Sequence, residues 1–235
     1  MNDNQMQLKA VIFDVDGTLV DSNTLHARAW QEAFRRFGKN VSFDAVYQQI
    51  GKGGDQLMPE FLSQDDLERL GEDLEKYRGD LFKEKYMDQV EPFPRVRELF
   101  ERLKDSGLLI ALASSAKENE VERHMETLGI TKLVDFATSK DVSDNSKPAP
   151  DIFNAALKGL EVAVADALIV GDSPWDVISA RKAKIDIICL LSGGFPEEQL
   201  RTAGASEIYK DVSDLLDNLE GFRLKVSRSA DASAK

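Results

Sequence analysis

"AVIFDVDGTLVDS", residues 10–22, decides how the rest of the sequence is interpreted. The stretch begins with an apolar run and passes at once into two aspartates, Asp14 and Asp16, which are followed by Gly-Thr. A short apolar run that is rich in β-branched residues and bounded by polar ones is typical of a strand buried on both faces. Two carboxylates directly after such a strand need positive charge nearby, from another part of the sequence or from a bound cation.

Three later apolar runs have the same character: "LLIALAS" (108–114), "ALIVGD" (167–172) and "DIICLL" (186–191). Segments with helical spacing alternate with these runs: "RVRELFERLKDSG" (95–107), "ENEVERHMETLG" (118–129), "DIFNAALKGL" (151–160) and "PWDVISARKAK" (174–184). The alternation predicts an α/β fold with a doubly wound, Rossmann-like parallel sheet. Because glycine commonly follows the last residue of a helix, Gly107, Gly129 and Gly159 are expected to end helices.

The segment between the first two predicted strands is too long for an ordinary connection. Residues 22–91 contain helical patterns and no convincing strand. A connection between successive strands of such a sheet usually takes a few loop residues and one helix, so the extra length predicts an inserted helical cap. The predicted division is a core of residues 1–21 and 92–222, a cap of residues 22–91 and a flexible tail of residues 223–235.

Composition narrows the classes of partner. The 235 residues carry a formal net charge of -12, which argues against nucleic acids and anionic membranes, because both need basic surfaces. No apolar run approaches the roughly 20 residues of a membrane span, and the polar start "MNDNQMQ" does not match a signal peptide. The single Cys189 cannot form an intrachain disulfide, which fits a cytoplasmic protein. A monomer is the simplest expectation.

Polar side chains follow the first three predicted core strands or stand in a loop between them. Beyond the first strand they are Ser114, Ser115, Lys147, Asp172 and Asp176. Each alone has an ordinary structural explanation, such as a helix N-cap, a solvated loop lysine or a first-turn aspartate. Ligands of open parallel sheets bind outside the carboxyl ends of the strands. The occurrence of all these groups at such ends therefore predicts one shared site.

The residue types in this group suit phosphoryl transfer. Clustered carboxylates repel one another and need a cation, and carboxylate oxygens are hard ligands suited to Mg²⁺. Residues two apart on an extended strand point to the same side, so Asp14 and Asp16 can address one reacting centre. One carboxylate can attack phosphorus, while the other moves protons. Lys147 and the serine hydroxyls supply charge and hydrogen bonds for a phosphoryl group.

At these residues the sequence resembles the haloacid dehalogenase superfamily of phosphotransferases, and among its members the phosphoglycolate phosphatases and β-phosphoglucomutases with a helical cap. The resemblance rests on four motifs in order: "DVDGT", the serine of "ALASS", the lysine of "SKPAPDIF" and the acids of "GDSPWD". It covers essentially the whole predicted folded chain. The dehalogenases that name the superfamily lack an acid two residues after the nucleophile, so Asp16 favours phosphate chemistry.

The resemblance implies a role for each matching position. Asp14 would be the nucleophile and, with the backbone carbonyl of Asp16 and the side chain of Asp172, a Mg²⁺ ligand. Asp16 would also be the general acid and base. Ser114 and Ser115 would bind the phosphoryl group, and Lys147 would stabilise its charge and the nucleophile. Asp176 would support the metal, and Thr18 would help to orient Asp16.

Residues of the predicted cap bear on whether the enzyme is a phosphatase or a mutase. The segment "DSNTLHARAW" resembles the part of β-phosphoglucomutases that carries a histidine, here His26, and Arg78 matches the other basic position of the cap. Both are expected to contact the substrate or its phosphate, although His26 can equally be a packed cap residue. The loop "IGKGGDQL" lacks the arginine with which a mutase holds a distal phosphate, and Lys52 is its potential substitute. This departure and the spacing of "GDSPWD" favour a phosphatase.

Two rival functions come from other classes. A signalling receiver domain also places clustered aspartates, a hydroxyl and a lysine on a doubly wound sheet, but it has no long insertion after the first strand. A phosphate-binding protein without activity would not need every catalytic position to be filled. The predicted substrate is a small phosphorylated metabolite of unknown identity, because a cap leaves little room for a macromolecule. The role of "SGGF" at residues 192–195 is open; it is expected to form a turn.

Overall fold

A six-stranded parallel sheet forms the centre of the protein. The structure is a computed structural model that describes residues 8–139 and 145–219, so the predicted tail lies outside the described residues. The strands of this sheet are β1 (Ala10–Phe13), β4 (Leu109–Ala113), β5 (Phe136–Thr138), β6 (Ala167–Gly171), β7 (Asp186–Leu190) and β8 (Glu207–Tyr209). Their order is β5-β4-β1-β6-β7-β8, which confirms the predicted doubly wound α/β fold.

Helices cover both faces of this sheet. One face packs against α5 (Val96–Asp105), α6 (Glu118–Leu128) and α10 (Val212–Asp217), and the other against α7 (Asp151–Leu160), α8 (Pro174–Ala183) and α9 (Glu197–Ala203). Side chains of β1 alternate between the two layers: Val11 and Phe13 belong to the first, and Ala10 and Ile12 to the second. All four are buried, which explains why the strand is apolar throughout rather than alternating.

Residues 22–91, which lie between β1 and α5, form a second helical layer with a core of its own. Its helices are α1 (Asn23–Arg36), α2 (Phe43–Tyr47), α3 (Gly54–Leu57) and α4 (Gln64–Leu81), followed by a π-helical turn at Phe82–Tyr86. Trp30, Phe34, Leu57 and Leu74 are among the buried side chains that hold these helices together. We refer to residues 22–91 as the cap segment. Within the described ranges, no helix is long and apolar enough to cross a membrane.

Four short strands were not predicted. β5 and β8 have three residues each, and an antiparallel pair, β2 (Val20–Asp21) with β3 (Glu91–Pro92), has two residues per strand. Strands of this length show no periodicity in sequence. The β2–β3 pair lies at the two ends of the cap segment, so the chain enters and leaves this segment side by side.

Glycine ends two of the three helices as predicted. Gly107 and Gly129 follow α5 and α6 with positive φ angles. The prediction for Gly159 was wrong: it lies inside α7, and Glu161 adopts the left-handed conformation after that helix. The reason for the glycine is space, since a Cβ atom at Gly159 would lie 2.4 Å from the ring of Phe136.

We predict opposite effects of two glycine-to-alanine changes within helices. Gly159→Ala should lower the free energy of unfolding by about 1–3 kcal/mol, because the methyl group displaces the Phe136 ring. Gly79→Ala, in α4, should raise it by about 0.5–1 kcal/mol, because a Cβ there meets no atom within 4 Å and alanine favours the helix. Urea denaturation of both variants and the wild type measures the difference. Stabilisation by Gly159→Ala would contradict the packing explanation.

Candidate active site

The site lies where three adjacent strands end. Asp14 directly follows β1, Ser114 follows β4 and Asp172 follows β6. Because β4, β1 and β6 are neighbours and parallel, these three side chains emerge at the same edge of the sheet. This is the edge at which ligands bind in open α/β sheets.

Three carboxylates meet at this edge. Oxygen atoms of Asp14, Asp172 and Asp176, here named the carboxylate cluster, lie within 4.8 Å of one another, and all three residues are buried. The ammonium of Lys147 contacts Asp14 and lies 2.8 Å from Oδ1 of Asp176. Thr18 donates through Oγ1 over 3.1 Å to Asp14 or Asp172, since its hydroxyl lies at this distance from both. Thr18 therefore supports this cluster, and its expected role in orienting Asp16 stays a prediction.

The cluster holds more negative charge than Lys147 neutralises. Burial raises the pKa of Asp14 to about 7, although the Lys147 ammonium opposes this shift. Burial, with the charges of Asp14 and Asp176, also raises the pKa of Asp172 well above its ordinary value. Burial lowers the pKa of Lys147, but these carboxylates outweigh it and raise the pKa overall. One ammonium against three carboxylates, with oxygen as the only donor, fits a hard divalent cation such as Mg²⁺.

Asp16 occupies a different environment. Its Oδ1 accepts a hydrogen bond from Ser22 Oγ over 2.6 Å and lies 2.9 Å from His26 Nε2. Arg78 Nη2 lies 3.2 Å from His26 Nδ1. Because arginine only donates, Nδ1 is the acceptor, and the N–H of Nε2 donates to Oδ1 of Asp16. The imidazole stacks on Phe82, with ring centroids 3.9 Å apart. Burial raises the pKa of Asp16, but His26, His124 and Ser22 together outweigh burial and hold the pKa well below its usual range.

Core and cap segment enclose a common cavity of about 290 Å³. From the core it is lined by Asp14, Asp16, Ser115 and Lys147, among others; from the cap segment by His26, Lys52 and Arg78, among others. Seven of the residues predicted from sequence therefore line one space. Ser114 Oγ is engaged by the backbone N–H of Ala116 over 3.0 Å. By contrast, the buried hydroxyl of Ser115 has no hydrogen-bond partner among the described residues, so it is available to a ligand.

Lys52 lines the cavity, but its ammonium is occupied. Nζ lies 2.7 Å from Oε1 of Glu60 and 4.0 Å from the centroid of the Trp175 ring. None of the three carboxylates of the cluster is a partner of this ammonium. Contact between Lys52 and a phosphate stays a prediction.

Residues that the sequence did not single out complete the site. The amide of Asn23 donates to Asp172 Oδ2 over 2.8 Å and to the carbonyl of Gly193 over 3.0 Å. The same carbonyl accepts from the hydroxyl of Tyr47 over 2.8 Å, and Ser192 donates to the carbonyl of Gly17. The 192–195 segment thus joins the cap segment to the carboxylate cluster. Asn23 and Ser22 stand in the "DSNTLH" stretch; the available signal was a run of polar residues just after the first motif.

Sequence comparison assigns the family. Residues 11–190 match the model of the haloacid dehalogenase-like hydrolases. The chain belongs to this family. It therefore resembles an enzyme over most of its length, and the family carries the α/β core described above.

Relatives of this hydrolase bear several different names. The phosphoglycolate phosphatase of Vibrio parahaemolyticus is 29% identical over 220 residues, which is 91% of this chain and 96% of that protein. The pyrophosphatase PpaX of Oceanobacillus iheyensis is 23% identical over 211 residues, covering 90% and 96% of the two chains. Protein SUPPRESSOR OF QUENCHING 1 of Arabidopsis thaliana is 31% identical over 223 residues and 92% of this chain, but this chain spans only 21% of it.

A solved structure shares the same architecture. The crystal structure of a hydrolase from Pseudomonas syringae superposes with a TM-score of 0.79 and is 29% identical in sequence. The match covers 91% of this chain and 98% of that one. The fold of core and cap segment together is therefore found in another hydrolase.

We predict that Mg²⁺ stabilises this hydrolase through the carboxylate cluster. At a concentration of about ten times Kd, an ion that binds only the folded state adds about 1.4 kcal/mol, or roughly 3–6 °C in the unfolding midpoint. Asp172→Asn should remove the shift, whereas Asp105→Asn, at an exposed carboxylate in α5, should keep it. Scanning calorimetry with Mg²⁺ and with a chelator measures the midpoints. An equal shift in both variants would mean that the ion binds elsewhere.

Proposed function

We propose that this hydrolase is a phosphatase that acts on a small phosphorylated metabolite through an aspartyl phosphate on Asp14. One observation carries the proposal: Asp14 and Asp16 line the same cavity but have opposite electrostatic settings. Asp14 belongs to a cluster that needs a cation, whereas Asp16 is held by a histidine and a serine. Two carboxylates in different settings suit two different roles in one reaction.

In the first step, a carboxylate oxygen of Asp14 attacks phosphorus, and the bond between phosphorus and the ester oxygen breaks. The leaving oxygen takes a proton from Asp16. Both hydrogen bonds to Asp16 end on Oδ1, so Oδ2 is the atom that can meet the substrate. A phosphoryl dianion beside Asp16 raises its pKa, because two negative charges repel, and thereby favours the protonated form that this step requires.

In the second step, water attacks the phosphorus of the aspartyl phosphate and gives up a proton to Asp16. The bond between phosphorus and Asp14 breaks, and inorganic phosphate leaves. Asp16 can accept this proton because it gave up its own proton to the leaving oxygen in the first step. The enzyme returns to its starting state with both carboxylates restored.

Other groups would stabilise the transferring phosphoryl group. Lys147 is buried with its ammonium on Asp14, so its charge stands where negative charge develops during attack. The hydroxyl of Ser115 is free to donate to a phosphoryl oxygen. Asp14, Asp172 and Asp176 would hold Mg²⁺, and the bound ion would polarise the phosphoryl oxygens and reduce their repulsion from the attacking carboxylate.

One observation bears on the size of the substrate, and another favours hydrolysis over the phosphomutase alternative. A cavity of about 290 Å³ limits the size of the group that accompanies the phosphate. A mutase must also hold a distal phosphate, and the ammonium of Lys52 is already engaged by Glu60 and Trp175. The names of the relatives differ in substrate, so they support phosphate chemistry rather than one particular metabolite.

We predict that Asp14→Asn lowers turnover by at least about 10³-fold and that Asp16→Asn lowers it by about 10²–10⁴-fold. The two variants differ with p-nitrophenyl phosphate, whose leaving group needs no proton. Asp16→Asn should release one equivalent of nitrophenol in a burst and gain one phosphoryl group by intact mass, because only the second step is slowed. Asp14→Asn should show neither effect.

The matched control is Asp21→Asn, which changes an exposed aspartate in β2 and should keep turnover within about twofold of the wild type. Turnover retained in Asp14→Asn would rule out the covalent route. The substrate is then sought by phosphate release from phosphoglycolate, glycerol phosphate, hexose phosphates, nucleotides and pyrophosphate. Conversion of glucose 1-phosphate to glucose 6-phosphate without net release would replace the phosphatase by the mutase.

A further inference from the structure

A loop of the cap segment lies directly on the two core turns that carry the catalytic groups. We call residues 51–54, Gly-Lys-Gly-Gly, the glycine loop. A Cβ atom at Gly51 would lie 2.6 Å from Ser173 Oγ, and one at Gly53 would lie 2.1 Å from Ser146 Oγ. Ser173 precedes α8 between two members of the carboxylate cluster, and Ser146 precedes Lys147. The loop therefore touches the core beside both the carboxylates and the catalytic lysine.

All four residues of the glycine loop line the cavity that contains Asp14 and Asp16. The site wall is complete only while this loop is seated on the core. Gly51 has a φ angle of 100°, which favours glycine, and the close approach to Ser173 leaves no room for a side chain. A glycine-rich segment has a high conformational entropy when it is free, so a specific contact is needed to hold it.

Trp175 and Lys52 make one such contact, and the backbone N–H of Ser146 makes another by donating to Asp55 Oδ2 over 3.3 Å. The Nε1–H of Trp175 donates to the carbonyl of Gln48 over 3.2 Å, just before the glycine loop. The ammonium of Lys52 lies 4.0 Å from the centroid of the Trp175 ring, a distance typical of a cation–π interaction, and is paired with Glu60 on its other side. Only 5% of the Lys52 side chain is exposed, so the ammonium is held between the two partners.

This arrangement pairs the Lys52 ammonium with groups other than the catalytic carboxylates. Lys52 contributes to the cavity wall, but neither Trp175 nor Glu60 lines that cavity. The ammonium of Lys52 thus contacts two groups that do not line the cavity. Trp175 is itself fixed, because it lies in the first turn of α8, whose capping box joins Ser173 to Asp176. The capping box that fixes the position of Trp175 thus also includes Asp176, a member of the carboxylate cluster.

We propose that Trp175 and Lys52 are positioning residues that seat the glycine loop on the core and thereby fix the part of the cavity wall that this loop provides. The proposal rests on the proposed function for its kinetic consequence, but not for the contact itself. Because neither residue touches Asp14, Asp16 or Lys147 in the structure, loss of the contact weakens substrate binding and leaves the reacting groups in place.

Hydrogen exchange tests the contact without any need for activity. In Trp175→Leu and Lys52→Met, amide exchange should rise about tenfold in residues 48–57 and stay unchanged in β1 and β6. Trp175→Phe keeps an aromatic face and Lys52→Arg keeps a cation, so each should restore most of the protection. Gln199→Ala is the matched control, since among the described residues the Gln199 side chain hydrogen-bonds that of Gln48 at 3.4 Å and not the side chains of Trp175 or Lys52.

Steady-state kinetics with the best substrate of the panel tests the consequence. Trp175→Leu and Lys52→Met should each raise KM about tenfold while kcat stays within about threefold. The losses should not multiply in the double variant, because both changes remove the shared cation–π contact between the two side chains. Gln199→Ala should match the wild type.

The outcomes separate the two proposals. Unchanged exchange in residues 48–57 of both single variants, or losses in kcat/KM that multiply in the double variant, would overturn the positioning role while leaving the phosphatase intact. If local exchange rises as expected in the variants while the wild type has no activity on any substrate, the contact is upheld and the proposed function is refuted.

Discussion

The buried contact between Lys147 and the carboxylate cluster is the constraint on which the rest of the structure depends. A lysine that is 1% exposed can stay charged only because carboxylates surround it, and three buried carboxylates can stay together only because a cation stands among them. The contact joins residues 133 positions apart in sequence, from the end of β1 to the loop before α7. The site is therefore held by its own charges as well as by the sheet beneath it.

The sheet makes this concentration of charge possible. β1 is central, apolar on both faces and hydrogen-bonded on both edges, so its last residue has little freedom to move. The neighbouring strands β4 and β6 end at the same level, which brings side chains from distant parts of the sequence into contact. The hydrophobic layers thus supply rigidity, and the polar groups are confined to the strand ends, where a ligand can offset their desolvation.

Much of the core could be predicted because its signals are local. Long apolar runs and helices with a clear period identify themselves, and the residues of the four motifs stand directly beside them. What could not be predicted depends on tertiary contacts. The three-residue strands have no period, Gly159 is explained only by the ring of Phe136, and the partners of Thr18 come from two different strands. Lys52 was interpreted by its charge alone, and only its neighbours reveal a ring and a glutamate.

The antiparallel pair of β2 and β3 holds the two ends of the cap segment together. Val20 faces Pro92 and Asp21 faces Glu91, so the entry and exit of the cap segment are held side by side whatever lies between them. Closing a longer or shorter segment across this fixed gap changes the closure free energy only slowly with length. The register of the sheet therefore places little constraint on the length of the cap segment. The constraint comes from the site, because Ser22 and His26 must reach Asp16 and Asn23 must reach Asp172.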